Sequence, residues 1–393
     1  MTRIYLQFVV YWNLFGFVFI SSISSILNTN NTVLAIVVRS LFLLYSFFVI
    51  IFSLYTGINR LKTWPLFLFF TFWSVYLIRF SVYFSLDKQH LIHELSFYLT
   101  WLLGVIFIPM LGIILIENKK KWEYIINLDI LIYVMTFTMI LLVLALYYQS
   151  EINIVEGYRM SLKSLNPISI GHFATSILLI AFWYIKTVGF KNKNAVIPML
   201  VIPVAFYLLL GSGSRGPLVA LMVISLLYIQ FYLSDKRSFF LKLVLFFCIV
   251  FIIMNYEYIY LRLNSSGVDE TMTTRVDLYW DAINGFLANP LFGSSLEIYS
   301  KSYYPHNIFL EVAMTTGFLG LIPFMILSYI GIKKSVVMLK LKLSNSYLGL
   351  LYLQYFIGAL FSGAIYTNQI FWILTALIIN QNFSIKQHDR LTD

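Results

Sequence analysis

Apolar runs long enough to cross a bilayer recur along almost the whole of this chain, and most stretches between them are too short to hold a folded domain. A spanning helix needs about 20 predominantly apolar residues. Candidate spans fall at Ile4 to Leu27, Val33 to Tyr55, Trp64 to Leu86, Leu95 to Ile116, Tyr124 to Tyr147, Ile168 to Ile185, Ala195 to Leu210, Pro217 to Leu233, Phe239 to Met254, Ile308 to Ile332, Tyr347 to Phe361 and Ile365 to Phe383. The expectation is an all-α polytopic membrane protein with about 12 transmembrane helices. Composition agrees, because only 11% of the 393 residues are charged and soluble domains carry about 25%. Too few charges exist to build a polar shell. Cys248, the single cysteine, lies in an apolar run, so neither a disulfide framework nor a thiolate metal site is available. Met1-Thr2-Arg3 precedes an apolar stretch that is long for a secretion signal and lacks a small-residue cleavage site, so it reads as an uncleaved first helix.

The net charge of +10 is distributed as membrane topology distributes it, mostly in short loops between apolar runs, and not as a nucleic-acid-binding face. With the N-terminus in the cytoplasm, eighteen of the 27 basic residues fall on the cytoplasmic side, which predicts both termini there. The other nine are Arg39, Arg79, Lys88, Arg159, Lys163, Arg215, Arg262, Arg275 and Lys301, and topology does not account for them. Two outer loops are long, residues 148–167 and 255–305, the second lying between spans nine and ten. Long loops are where function concentrates. No repeat, low-complexity tract or soluble domain interrupts residues 1–393, which read as a single integral membrane domain.

The longer loop closes on Pro305-His306-Asn307, immediately before an apolar run. Pro305 can start that helix, leaving His306 at its N-terminal end, where the helix field favours the neutral imidazole a general base requires. Asn307 and Glu311 share a face at i and i+4, and Gly317 and Gly320 permit close approach of another helix. Between spans seven and eight, Gly211-Ser-Gly-Ser-Arg-Gly-Pro217 reads as a tight turn with Pro217 at the first helical position. Arg215 then stands beside an amide-rich helix end, a ready anion site, although the segment is equally readable as an ordinary turn. Neither a phosphate-binding P-loop nor a Gly-x-Ser-x-Gly elbow is present there.

Arg39 and Arg79 lie inside apolar runs, where an arginine costs about 2.5 to 3.5 kcal/mol and normally faces a cavity, a partner or an ion path. Snorkelling to the interface is the other explanation for both. The shorter loop supplies Arg159, Lys163 and Asn166, with His172 a helix-face residue just beyond. In the longer loop Val276, Tyr279, Ile283 and Phe286 recur at helical spacing opposite Asp277, Asp281 and Asn284, predicting an amphipathic helix along the outer surface. Arg275 is expected at its start, free for another role or paired with Asp277 or Asp281.

In this order the motifs resemble those of the O-antigen ligase and polymerase superfamily of bacterial inner membranes. They are Ser214-Arg215-Gly216, then Arg275 with Trp280 and Asn289 to Gly293, then His306, Asn307, Glu311, Gly317 and Gly320, over about Arg159 to Leu321. The paired arginine-to-glycine motifs described for such polymerases are matched only approximately, by Arg159 to Gly171 and Arg275 to Gly285. The resemblance implies a GT-C-like membrane fold in the inner membrane and a metal-independent, inverting glycosyltransferase without cofactor. Its donor is an oligosaccharide on undecaprenyl diphosphate, held at the periplasmic face, and a chain-length regulator protein is a further expected partner. His306, Arg215 and Arg275 are then the expected catalytic residues, with Arg159, Arg79, Asn307, Glu311 and Lys163 as substrate contacts. Arginines can neutralise a departing diphosphate in place of a metal. O-antigen polymerase is the leading reading; O-antigen ligase is the same chemistry on lipid A-core. A lipid-linked sugar transporter is the alternative of a different class, disfavoured because the unexplained charges gather at one face.

Overall fold

The computed structural model describes residues 2–29, 31–55, 64–86, 91–115, 127–148, 159–232, 270–298 and 303–381. Regular structure among them is helical, and extended pairing is confined to two isolated bridges, Leu162 with Leu165 and Ile298 with Tyr303. In chain order the helices are α1 (Thr2–Tyr11) and α2 (Phe17–Ile26), joined by the π-helical turn Trp12–Gly16; α3 (Asn31–Tyr55); α4 (Trp64–Leu86); and α5 (Leu95–Leu99) and α6 (Ile108–Leu115), joined by the π-helical stretch Thr100–Phe107. Then follow α7 (Leu128–Tyr148), α8 (Pro167–Val188), α9 (Val196–Ser212), α10 (Arg215–Tyr232), α11 (Glu270–Ala288), α12 (Ile308–Lys340), α13 (Ser346–Ala359) and α14 (Gln369–Ile379).

Eight spans among the described residues are long and apolar enough to cross a membrane, and two further apolar helices, Arg215–Phe231 and Gln369–Ile379, are shorter. The protein is an all-α polytopic membrane protein. The expected ninth span, Phe239 to Met254, lies outside the described residues, as do 149–158 of the first long loop and 255–269 and 299–302 of the second. Helix α3 shows how the medium shapes the sequence: Ile36, Leu41, Leu44, Phe48 and Ile51 are exposed while Phe42, Ser46 and Val49 are buried. An apolar solvent leaves large hydrophobic side chains outside and turns the small hydroxyl inward, where Ser46 donates to the Phe42 carbonyl at 2.8 Å.

Helix α12 packs along α4 and α13, and it is broken. Gly317 has φ 58° and ψ −158°, a conformation open only to glycine. The break seats the turn Asn289–Gly293, whose Pro290 carbonyl accepts from Phe318 N at 2.8 Å; in return Ser294 N donates to Met314 O at 2.8 Å. Gly317 was expected to admit another helix, but it admits this turn: a Cβ there would come within 2.5 Å of the Leu291 carbonyl carbon. Gly320, the other glycine of that expectation, faces the Thr316 side chain of its own helix. Arg79 of α4 collects carbonyls on both sides of this junction, donating to Gly293 O at 2.9 Å and Ser294 O at 3.2 Å of the loop and to Thr315 O at 3.3 Å of α12.

Gly317→Ala should therefore lower the midpoint of thermal unfolding in detergent, with a destabilisation of at least about 2 kcal/mol from backbone strain alone.

Candidate functional site

At the end of the bundle where α8, α10, α12 and α14 begin and α9 and α13 finish, four segments meet. The first is the Gly-rich turn. Gly213, at φ 55°, supplies the left-handed residue that ends α9. Helix α10 begins at Arg215, so Pro217 sits two residues inside the helix instead of at its first position. Arg159 reaches this turn from the first long loop, donating through Nε to Ser212 O at 3.1 Å and through Nη2 to Ser214 Oγ at 3.0 Å. Met160 N donates to Gly211 O at 2.9 Å beside it. Arg159 is thus part of the turn's framework, and Arg215 is exposed at the helix N-terminus. Lys163 is exposed on the neighbouring turn closed by Leu162 and Leu165.

The second segment carries His306. Pro305 does not start α12: Asn307 is the N-cap, its Oδ1 accepting from Phe309 N at 3.0 Å and Leu310 N at 3.3 Å. His306 precedes the cap with φ 57°, an uncommon left-handed backbone for a non-glycine residue. The cause of its neutrality also differs from the sequence expectation. Burial lowers its pKa from the ordinary 6.5 to about 4, and the positive charge of Arg275 adds to the effect. Its ring packs against the stacked pair Tyr303 and Tyr304, with centroids 5.1 and 4.5 Å away, and buried Nδ1 meets no hydrogen-bond partner. Arg275 lies within α11 and not at its first residue, since the helix starts at Glu270.

The third and fourth segments fix the second from below. Asn307 Nδ2 donates to Leu360 O at 3.2 Å, and Phe361, the next residue, packs 3.5 Å from where a Cβ on Gly216 would stand. The 360–361 turn therefore touches both the His306 cap and the start of α10, placing Arg215 and His306 in one neighbourhood. Glu311, fully buried one turn into α12, accepts Ile365 N at 3.0 Å on both oxygens. Asn307 and Glu311, expected as substrate contacts, thus bond the protein itself. So does Arg79, through the broken α12.

Glu297 was not singled out from the sequence, yet it organises the His306 loop. It is completely buried and accepts from Tyr98 OH at 2.6 Å, Ile92 N at 2.8 Å and Tyr366 OH at 3.1 Å. The next residue, Ile298, donates through N to Tyr303 O at 2.8 Å, closing the loop at the first of the two tyrosines that pack on His306. The only local sign was an acid in an otherwise uncharged stretch, SerSerLeuGluIleTyrSer. His172, by contrast, is the helix-face residue expected, stacked 5.5 Å from Tyr355.

No curated protein and no solved structure matches this chain. A family model described as O-antigen ligase matches residues 199–325, a segment that holds Arg215, Arg275, His306, Asn307 and Glu311. Over that segment the chain is similar to the O-antigen ligase family, and the match takes in the Gly-rich turn at Arg215, the Arg275 helix and the His306 cap.

Proposed function

We propose that the chain is an O-antigen polymerase, transferring an oligosaccharide from one undecaprenyl-diphosphate carrier to the sugar hydroxyl of another at the periplasmic face of the inner membrane. The observation that carries the reading is a neutral, half-enclosed histidine with an unpartnered ring nitrogen beside an arginine, on the same end of the bundle as a second, exposed arginine. The distribution of basic residues in the sequence supports both termini lying in the cytoplasm.

In this mechanism His306 takes the proton of the acceptor hydroxyl as its oxygen attacks the anomeric carbon of the donor. The bond from that carbon to the diphosphate oxygen breaks on the opposite face, so configuration inverts. The leaving undecaprenyl diphosphate is stabilised by Arg215 at the N-terminus of α10 and by Arg275. Both arginines keep their charge throughout, and no metal takes part. Arg159 acts through the turn it holds beneath Arg215, Arg79 through the turn at Gly293, and Asn307 and Glu311 through the cap and the 360–368 segment. Lys163 adds positive charge to the face that receives the anionic donor, and a chain-length regulator would have to act on this same face.

Purified protein given only a lipid-linked repeat should produce a ladder of products; transfer that occurs solely when lipid A-core is added would overturn the polymerase assignment in favour of ligase. His306→Ala should reduce turnover by about a hundredfold or more at unchanged membrane abundance. With a folded pKa near 4, the base is already neutral at pH 5.5, so the acid limb of kcat/KM should fall near 4 and not near 6.5. Replacing Arg275 with Gln removes a charge that disfavours imidazolium, so the limb should move to higher pH. Glu297→Gln keeps the shape but turns an acceptor for three donors into an amide; the loss should appear mainly in kcat with a lowered melting temperature, whereas wild-type kinetics would contradict the placement of His306 by this carboxylate.

A further inference from the structure

Among the described residues, Arg39 of α3 is an arginine that neither the fold nor the His306 site accounts for. Its guanidinium lies 4.2 Å over the centre of the Trp101 ring, and among the described residues no acceptor reaches it, unlike Arg79 and Arg159, which both hold backbone carbonyls. It borders a cavity of about 20 Å³ lined also by Asn13, Phe17, Ala35, Trp101 and Gln369. That is room for a water-sized group or two. The neighbouring amides do not complete the arginine: Asn13 Nδ2 donates to Val9 O at 2.7 Å, and Asn13 Oδ1 accepts from Gln369 Nε2. A cation inside a spanning helix, with a cavity in front and no anion against it among the described residues, calls for an anion from outside them.

The walls of this cavity point the same way. Asn13 belongs to the π-helical turn Trp12–Gly16 and Trp101 to the π-helical stretch Thr100–Phe107, so two separate spans carry this rare geometry at one place. Such insertions occur mostly at functional positions, because they cost helical hydrogen bonding and redirect side chains. Beside the cavity Phe17 is 37% exposed and Ile36 is 57% exposed, as residues in contact with lipid chains are.

From this juxtaposition of a guanidinium with no acceptor among the described residues, a small cavity in front of it and paired π-helical walls at an exposed apolar face, we infer that Arg39 and Trp101 form a binding site for the phosphate of a membrane lipid. The guanidinium fork matches two phosphate oxygens while its other face stays on the indole. The cavity admits one phosphoryl oxygen, leaving the phosphorus at the mouth and the chains along the α2–α3 face. The lipid is either a bulk anionic phospholipid or an isoprenoid phosphate. The site shares an aromatic wall with His306, since Trp101 lies 6.1 Å from Phe97, Phe97 and Tyr304 each lie 6.4 Å from Tyr366, and Tyr304 lies 4.5 Å from His306. Its existence does not depend on the role given to His306.

Native mass spectrometry of the delipidated full chain in detergent tests this with three probes added separately: phosphatidylglycerol, undecaprenyl phosphate and diacylglycerol. One phosphate-bearing lipid should be retained about tenfold more tightly than diacylglycerol, and Arg39→Gln should abolish that preference. Whichever of the two phosphate lipids binds more tightly identifies the source. Should Arg39→Gln fail to fold, Ala35→Leu fills the cavity and leaves the charge in place; it should weaken retention by a similar factor. Equal retention of diacylglycerol, or phosphate-lipid binding unchanged in a folded variant of either kind, overturns the site.

Discussion

Backbone that leaves helical geometry inside an apolar bundle has to find its hydrogen bonds in the protein, because the surrounding chains and lipid offer none. At Gly317 this chain accepts that demand and meets it from two directions. The Asn289–Gly293 turn supplies acceptors to Phe318 N and Leu319 N, and Arg79 supplies donors to the carbonyls of Gly293, Ser294 and Thr315. An intramembrane arginine that would be a liability alone becomes a clamp between α4, the end of the longer loop and α12. The loop is thereby tied to the bundle one segment before Glu297, and the position of everything up to His306 follows.

Glu297 continues the same logic with the opposite charge. A buried carboxylate is tolerated only when its oxygens are occupied, and here Ile92 N, Tyr98 OH and Tyr366 OH occupy them. These donors come from the α4–α5 connection, from α5 and from the turn before α14, so one side chain registers three parts of the bundle against the loop. Glu311 does the same from α12 toward Ile365. The 360–368 turn is held by both acids, and its Leu360 carbonyl is the one that orients Asn307.

What the sequence disclosed follows from which interactions are local. Spanning helices depend on continuous apolar composition, so α1 to α10 and α12 to α14 were legible from hydropathy, and the amphipathic spacing of Val276, Tyr279, Ile283 and Phe286 marked α11. Motif order was enough to bring Arg215, Arg275 and His306 under suspicion. The role of Gly317 was misread because the turn it admits lies more than twenty residues earlier in the chain, and nothing in its own window distinguishes a helix-packing glycine from a break. His306 was placed inside a helix because Pro305 favours a helix start, whereas the Asn307 side chain caps α12 better than a proline can. Glu297 escaped notice altogether, since its donors Tyr98 and Tyr366 stand far from it in sequence on either side and become neighbours only when the bundle closes.

The electrostatics around His306 reward comparison with hydrolytic sites, where a carboxylate usually orients the imidazole and raises its basicity. Glu297 and Glu311 lie in the same region, yet their oxygens are occupied by amide and phenol donors, and the charge that bears on His306 is that of Arg275. The result is a weak base, neutral at neutral pH. For the proposed transfer that arrangement is self-consistent: a sugar hydroxyl needs its proton removed only as the glycosidic bond forms, and a departing diphosphate needs positive charge beside it. Keeping Glu297 and Glu311 buried and satisfied by amide and phenol donors means that the same hydrogen bonds that assemble the loop also hold these two acids away from the imidazole's proton.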